Sequence, residues 1–472
     1  MVDSYLFYFN EKDYPAMSSK PLFSNRQLFS LLWPLIMEQL LAVFVGTADV
    51  LMVSFVGESA MSGVSLVDSV NILVIQVLLG LTTGGTVVCA KAIGSHDTER
   101  AARSGAQLLS LTLLTMLALS AVLLSAGTPL LSFIFGTIEE SVMDNAVIYL
   151  RITTFSLPCL AVYYSGAAIL RSAGMTRSSL AVSLIMNAVN IAGNAICVFG
   201  LKMGVAGVAI PTVCARVLAA GIVLIVLQKR DCPVRIRRKK DLIPNTAIIR
   251  NICSIGIPSG MESGIFQFGK LVLQSLVSTM GTASIAAFAV ASNLVTYLYL
   301  PGNALGAGMM TVVGQCVGAG EEKQARAYAW KLVRLNYILL ALICTGMVAA
   351  RGLLVSWYHL SPESAAPAMK LLLAHSIAMV IWPVAFLLPN YFRATGHAAF
   401  TMIVSIATMW IFRVGMANVF VRVLKMDILG VWYAMFVDWG FRAAIFLWKY
   451  AAAARKKPLP QKNGRRDAYQ EP

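Results

Sequence analysis

The sequence predicts an all-α polytopic membrane protein: twelve transmembrane helices arranged as two homologous six-helix lobes. Three observations carry that prediction. Hydrophobic residues make up 58% of the chain against 13% charged, with a mean hydropathy of +0.73, and they gather into runs long enough to cross roughly 30 Å of hydrocarbon. Lys and Arg collect in alternate connections between those runs. Sliding the chain by 224 residues brings Pro34, Met37, Glu38, Phe44, Gly57, Gly84, Gly94 and Ala101 onto Pro258, Met261, Glu262, Phe268, Gly281, Gly308, Gly318 and Ala325 without a gap. Apolar segments match one another easily, but here the matches fall on Pro, Gly and Glu, and internal symmetry of this kind is the mark of secondary transporters.

The spans are expected near residues 30–54, 64–90, 104–126, 146–170, 179–200 and 205–228 in the first half. In the second half they are expected near 252–277, 285–315, 329–350, 370–392, 399–420 and 429–449. Residues 1–21 form a leader, expected to be disordered or interfacial; a start at Met17 would make 1–16 an upstream extension, whereas Tyr5, Phe7, Tyr8 and Phe9 suit an amphipathic interfacial segment. The lobes occupy 22–228 and 251–450, joined by a basic linker at 229–250 and followed by a basic tail at 451–472. No cleavable signal peptide is evident in Met1 to Lys20.

The formal charge of +16 is distributed as a topology signal. Lys229, Arg230, Arg235, Arg237, Arg238, Lys239, Lys240 and Arg250 fill the linker, and Arg455, Lys456, Lys457, Lys462, Arg465 and Arg466 fill the tail. Arg171 and Arg393 close the fourth and tenth spans. The odd-numbered connections are short or acidic, so the even-numbered ones, and both termini, are placed in the cytoplasm. No nucleic-acid partner is expected. The eight cysteines are scattered singly, as packing residues rather than a disulfide framework.

Further pairings extend the repeat: Leu170-Arg171-Ser172-Ala173-Gly174 answers Phe392-Arg393-Ala394-Thr395-Gly396, and Gly207-Val208 answers Gly430-Val431. Six spans per half is even, so the halves are related by an axis along the membrane normal, with a cleft between them. Together with the Pro-x-x-x-Glu openings, Gly46-Thr-Ala-Asp49, Gln315-x-x-Gly-Ala-Gly and Asn190-x-x-Gly-Asn194, the chain from about 22 to 450 resembles the multidrug and toxic compound extrusion (MATE) transporters. The resemblance implies a V-shaped pair of lobes in the plasma (inner) membrane that exports small organic compounds, often cations, in exchange for Na⁺ or H⁺. It implies no cofactor beyond the coupling ion.

Coupling chemistry needs ionisable groups inside the membrane, where they are expensive and therefore functional by default. Glu38 and Asp49 lie eleven residues apart on the first span, nearly on one helix face and roughly 16 Å apart along its axis. Asp49 falls where similar transporters carry a first-helix aspartate proposed to bind the ion; the alternative is a structural hydrogen bond to a neighbouring helix. Asp68 shares its lobe, and Asn187, Asn190 and Asn194 add amide oxygens suited to a hard monovalent cation, with Asp49 and Asn190 the candidates for Na⁺. Many relatives have an aspartate where this chain has Asn194.

The C-terminal lobe carries Glu262, Lys270, Arg413, Asp438 and Arg442, two acids against three bases. Asp438 and Arg442 are spaced to pair on one helix face, with Arg413 a third member. These groups are expected to form a buried ion-pair network, leaving cation coupling to the acidic N-terminal lobe, with Glu262 still a candidate because Glu38 is its mate. Tyr163, Tyr164, Tyr297, Tyr299 and Trp382 are candidates to line a cavity for flat cations. Pro158, Pro211, Pro301, Pro383 and Pro389 mark kinks. Gly80-x-x-x-Gly84 and Gly302-x-x-x-Gly306 mark close helix packing.

Enzyme chemistry finds no constellation: Gly264 to Lys270 imitates a phosphate loop without its Ser/Thr, and the four histidines fit no metal or nucleophile motif. The expected partners are small-molecule substrates and the lipid bilayer, and the chain is expected to be monomeric. The competing reading, a flippase of lipid-linked saccharides, calls for a strongly cationic cavity that Lys270, Arg413 and Arg442 would have to supply.

Overall fold

In the computed structural model the described residues are 20–136, 138–236 and 239–455; the expectations for residues 1–16, for Arg237 and Arg238, and for the basic tail from Lys456 onward lie outside them. Among the described residues the helices form twelve rods. The first three are Asn25–Ser54, Glu58–Gly94 and Thr98–Phe135. The fourth is a bent pair, Glu140–Thr154 with Leu157–Ser172, followed by Thr176–Gly200 and Ala206–Gln228. The second lobe repeats the order: Thr246–Ser278, Thr282–Gly318, Glu322–Ser356, a bent pair of Pro362–Ala378 with Pro383–Ala394, then Ala398–Val423 and Ile428–Ala453. All but the seventh are apolar enough to span a membrane alone or as a bent pair. The seventh is 33 residues long and is diluted by Arg250, Glu262 and Lys270.

Bends in the two bent spans fall beside prolines. The fourth span turns by 51° and the tenth by 67°, with Pro158 and Pro383 each in the first turn after the break. A proline there lacks the N–H that the preceding turn would have used, so the helix is free to change direction. The turns match as well. Gly57 and Gly281 start the second and eighth helices with φ of 137° and 88°, and Gly174 and Gly396 close the Arg-containing turns at 75° and 96°. Positive φ explains why glycine recurs at these positions.

Each lobe has its own apolar core, and the lobes exchange helix starts. Leu28, Leu31, Leu32 and Leu35 of the first span pack in the C-terminal core, while Ile248 and Ile252 of the seventh pack in the N-terminal one. Ser24 caps the first span in a reciprocal box with Gln27, and its approach is tied across the molecule by Leu22 N–H to Gln324 Oε1 at 2.9 Å. Asn245 caps the seventh and donates its backbone N–H to Gln107 Oε1 at 3.1 Å.

Small residues let the lobes touch. A Cβ on Gly80 would come within 2.6 Å of Gly260 Cα, and one on Gly84 would collide with the Ile252 carbonyl, so the second and seventh helices meet backbone to backbone. The Gly302 and Gly306 pair serves a different contact, against Trp382 and Asn390 of its own lobe. The true counterpart of Gly84 is Gly308, which faces Leu32. At the ends of the second and eighth helices Gly94 lies against Gln315 and Gly318 against Lys91, a reciprocal crossing that marks the pseudo-twofold axis and accounts for the glycines repeated there.

Candidate functional site

Asp49 and Asp68 face a common chamber of about 350 Å³ inside the N-terminal lobe. The first span carries Asp49, the second Asp68 and Asn71, the fourth Tyr149, and the sixth Thr212 and Arg216. From the fifth span Asn194 donates its Nδ2 to Asp49 Oδ1 at 2.9 Å and to Asn190 Oδ1 at 3.5 Å. Asn190 in turn donates to Thr212 Oγ1 at 3.0 Å. These amides present N–H groups where the sequence suggested carbonyl ligands: Asn194 is spent as a donor that steadies the carboxylate. Its own Oδ1 is buried without a partner. A π-helical turn, Ile196–Gly200, begins two residues beyond it, a distortion common at functional sites.

Arg216 is the residue that the sequence reading passed over. Its guanidinium lines the chamber with both aspartates and donates to Ser156 Oγ at 2.7 Å, at the bend of the fourth span. A single Arg in an apolar run was itself the available signal. The lobe is consequently less acidic than expected, since two carboxylates share the chamber with one fixed cation.

Glu38 is placed elsewhere. It faces a central cavity of about 580 Å³ together with Gln39, Asn187, Tyr163 and, from the other lobe, Ala307 and Met310. Its Oε1 pairs with Arg171 Nη1 at 3.2 Å, although Arg171 had been assigned to a cytoplasmic connection. Asn187 donates to Ser183 Oγ at 3.3 Å and does not line the Asp49 and Asp68 chamber. Asp49 lines both spaces, standing in the wall between the central cavity and the lobe interior.

In the C-terminal lobe Glu262 pairs with Arg393 at 2.8 Å, the counterpart of the Glu38 and Arg171 bond. This corrects the grouping of Glu262 with Lys270 and Arg413. Asp438 and Arg442 pair at 3.2 Å as their spacing suggested. Arg413 stops short of them: it donates to the Met435 sulfur at 3.0 Å, and no carboxylate among the described residues lies within ion-pair range of it or of Lys270. Lys270, Arg413 and Arg442 surround one ring, Phe266, at 5.2, 5.3 and 5.9 Å. Lys270 and Arg413 open onto a chamber of about 360 Å³ with Tyr299, His375 and Trp432. Tyr299 OH and His375 Nε2 are hydrogen-bonded at 2.9 Å, and Tyr299 stacks on Trp382 at 5.7 Å. Tyr163 lines the central cavity with Tyr164.

Solved structures share this architecture. The outward-facing conformation of a multidrug resistance MATE family transporter of the MOP superfamily superposes with a TM-score of 0.86, covering 91% of this chain and 96% of that one at 20% identity. Among curated proteins, an uncharacterized transporter, YisQ, of Bacillus subtilis strain 168 is 26% identical over 426 residues, covering 89% of this chain and 92% of that protein. A probable multidrug resistance protein, NorM, of Thermotoga maritima is 26% identical over 435 residues, covering 90% of this chain and 91% of its own length. The MatE family model matches twice, at residues 34–196 and 258–419. Its two matches begin on Pro34 and Pro258, so the repeat first seen as a 224-residue shift is the family's own unit, and the chain belongs to the MatE family of multi-pass membrane transporters.

Proposed function

We propose that the protein is a secondary active antiporter of the plasma membrane, monomeric and with both termini in the cytoplasm, that exports small organic compounds, cations among them, in exchange for Na⁺ or H⁺. The observation that carries this reading is the position of Asp49 in the wall shared by the central cavity and the N-terminal chamber. A carboxylate at that position reports on both sides: its charge state in the chamber alters the field in the cavity where cargo would sit. Two aspartates against Arg216 leave the chamber one positive charge short of neutrality. A single proton or monovalent cation supplies it, and an uncompensated carboxylate away from bulk water is costly enough to bias one conformation over another.

Asp68, Asn71, Asn190 and Asn194 position this switch, while Glu38, held by Arg171, belongs to the scaffold. The flippase reading has less support, because Arg442 is held by Asp438 and is withdrawn from any cationic surface. The test is efflux of a fluorescent organic cation from proteoliposomes under an imposed Na⁺ or H⁺ gradient. Asp49→Asn is expected to lose the gradient-driven component; a variant that kept it would remove Asp49 from the coupling role.

A further inference from the structure

The two lobe chambers are the same place in the fold. Shifting by 224 residues carries Gly46 to Lys270, Asp49 to Leu273, Asp68 to Ser292 and Ile75 to Tyr299, and all eight residues line their respective chambers. The volumes are nearly equal, about 350 and 360 Å³. Their charges are opposite. Where the N-terminal chamber has two carboxylates, the C-terminal one has an aliphatic residue and a hydroxyl, and where the former has a glycine the latter has an ammonium.

The C-terminal charges are also uncompensated. Glu262 and Asp438 are committed to Arg393 and Arg442, which leaves Lys270 and Arg413 facing the chamber. Arg413 donates to the Met435 sulfur, a weak acceptor, and its buried Nε has no partner. His375, fully buried, likewise has an unpartnered Nδ1. Donors and cations without acceptors in a membrane interior are expensive, and the cost is relieved when an anion enters. The guanidinium fork of Arg413 matches a carboxylate, with Lys270 as a second point charge. Arg413 sits in a π-helical turn, Met409–Gly415, and the walls are aromatic: Tyr299 and Trp432 flank the space, and His375 lies edge-on to Trp432 at 4.9 Å. A cavity of this size takes a one- or two-ring molecule.

We propose that the C-terminal chamber is a binding site for small aromatic organic anions, with the carboxylate on Lys270 and Arg413 and the ring between Tyr299 and Trp432. The proposal rests on the exporter reading only in making such anions cargo; binding itself does not depend on coupling. The experiment is calorimetric titration of the purified, detergent-solubilised protein with 1-naphthoate and, separately, with 1-naphthyltrimethylammonium at low salt. Saturable 1-naphthoate binding is expected, weakened about tenfold or more by Lys270→Gln or Arg413→Gln and by added salt, with the ammonium binding far less well. Ser292→Asp, which puts the acid of the other lobe into this chamber while leaving Lys270 and Arg413 in place, is expected to abolish 1-naphthoate binding while the protein stays monodisperse, so the result does not hang on whether Arg413→Gln folds.

Equal affinity for the ammonium, binding indifferent to Lys270→Gln and Ser292→Asp, or no saturable binding at millimolar 1-naphthoate would each overturn the proposal. These outcomes separate from failure of the coupling reading. Loss of efflux in Asp49→Asn with no 1-naphthoate binding removes only the anion site, and charge-selective binding with efflux intact in Asp49→Asn removes only the coupling assignment.

Discussion

The N-terminal chamber holds Asp49, Asp68 and Arg216; the C-terminal chamber, built from the same helices one repeat later, holds Lys270 and Arg413. Walls and volume have been copied, and polarity has been inverted. What the copies retain beyond the walls is structural: Glu38 with Arg171 and Glu262 with Arg393, bends in the fourth and tenth spans, and glycines at the crossings. The contrast locates chemistry at the positions where the repeat fails. A duplicated scaffold needs its ion pairs and glycines twice because both lobes must pack, but under the proposed antiport a coupling carboxylate is needed only once.

The largest effect tests that division directly. Asp49→Asn is expected to reduce gradient-driven efflux to background, because it fixes the wall between chamber and cavity in a neutral state. Asp68→Asn, which leaves Asp49 and its Asn194 bond intact, is expected to retain part of the rate. The comparison is made with initial efflux rates from matched proteoliposomes. If the two variants behaved alike, the position of Asp49 between two spaces would have no special consequence.

Arg216→Gln sharpens the same comparison from the other side. Removing the cation leaves two carboxylates sharing the chamber with no positive charge among its lining residues, and like charges in one poorly hydrated site destabilise the state that holds them. The variant is expected to melt earlier than the parent in potassium-free, sodium-free buffer at neutral pH. It is expected to recover more stability than the parent does when Na⁺ is added, since cation binding to the folded state is then favoured further. A thermal-denaturation series against Na⁺ concentration reads both quantities. Identical curves for parent and variant would mean that Arg216 does not balance the aspartates.

Much of this architecture was legible in the sequence, because its signals are local: apolar runs of membrane length, basic alternate connections, and Pro and Gly where a bend or positive φ is required. The Asp438 and Arg442 pair was legible for the same reason, being four residues apart on one helix. The Glu38 and Arg171 bond, 133 residues apart in sequence, was hidden because arginines at span ends read first as topology signals. Its repetition as Glu262 and Arg393 was nonetheless written in the aligned halves. Arg216 was missed for a different reason. It has no charged counterpart one repeat later, so attention to symmetry passed it by, and only its placement beside Asp49 and Asp68 shows what it balances. The amide direction at Asn194 depends on the approach of two helices, which spacing along one chain does not encode.

The repeated ion pairs predict equal effects rather than large ones. Glu38→Gln and Glu262→Gln each remove a charge-assisted bond from a partly shielded pair, the glutamate side chains being 14% and 10% exposed. A loss of about 1.5–3 kcal/mol is expected in both cases, with coupling preserved wherever the protein folds. Measured by thermal denaturation beside the efflux assay, a Glu38→Gln variant that kept its stability but lost coupling would return Glu38 to the ion pathway and end its equivalence with Glu262.

The smallest expected effect lies at the pseudo-twofold crossing itself. An alanine at Gly94 meets the Gln315 carbonyl and one at Gly318 meets the Lys91 carbonyl, so neither backbone can yield without the other. Overpacking of this kind costs about 1–3 kcal/mol, and because Gly94 and Gly318 are the last residues of their helices, the interior helix propensity of alanine does not offset it. The single variants are therefore expected to lose about 1–3 kcal/mol each, and by nearly the same amount because the two contacts are mirror copies. The double variant decides between two pictures. If the second and eighth helices part as rigid rods, the shift that accommodates the first methyl makes room for the second, and the combined loss falls short of the sum. If each contact relaxes on its own, the losses add, and the crossing is two independent packing sites rather than a single joint on which the lobes turn.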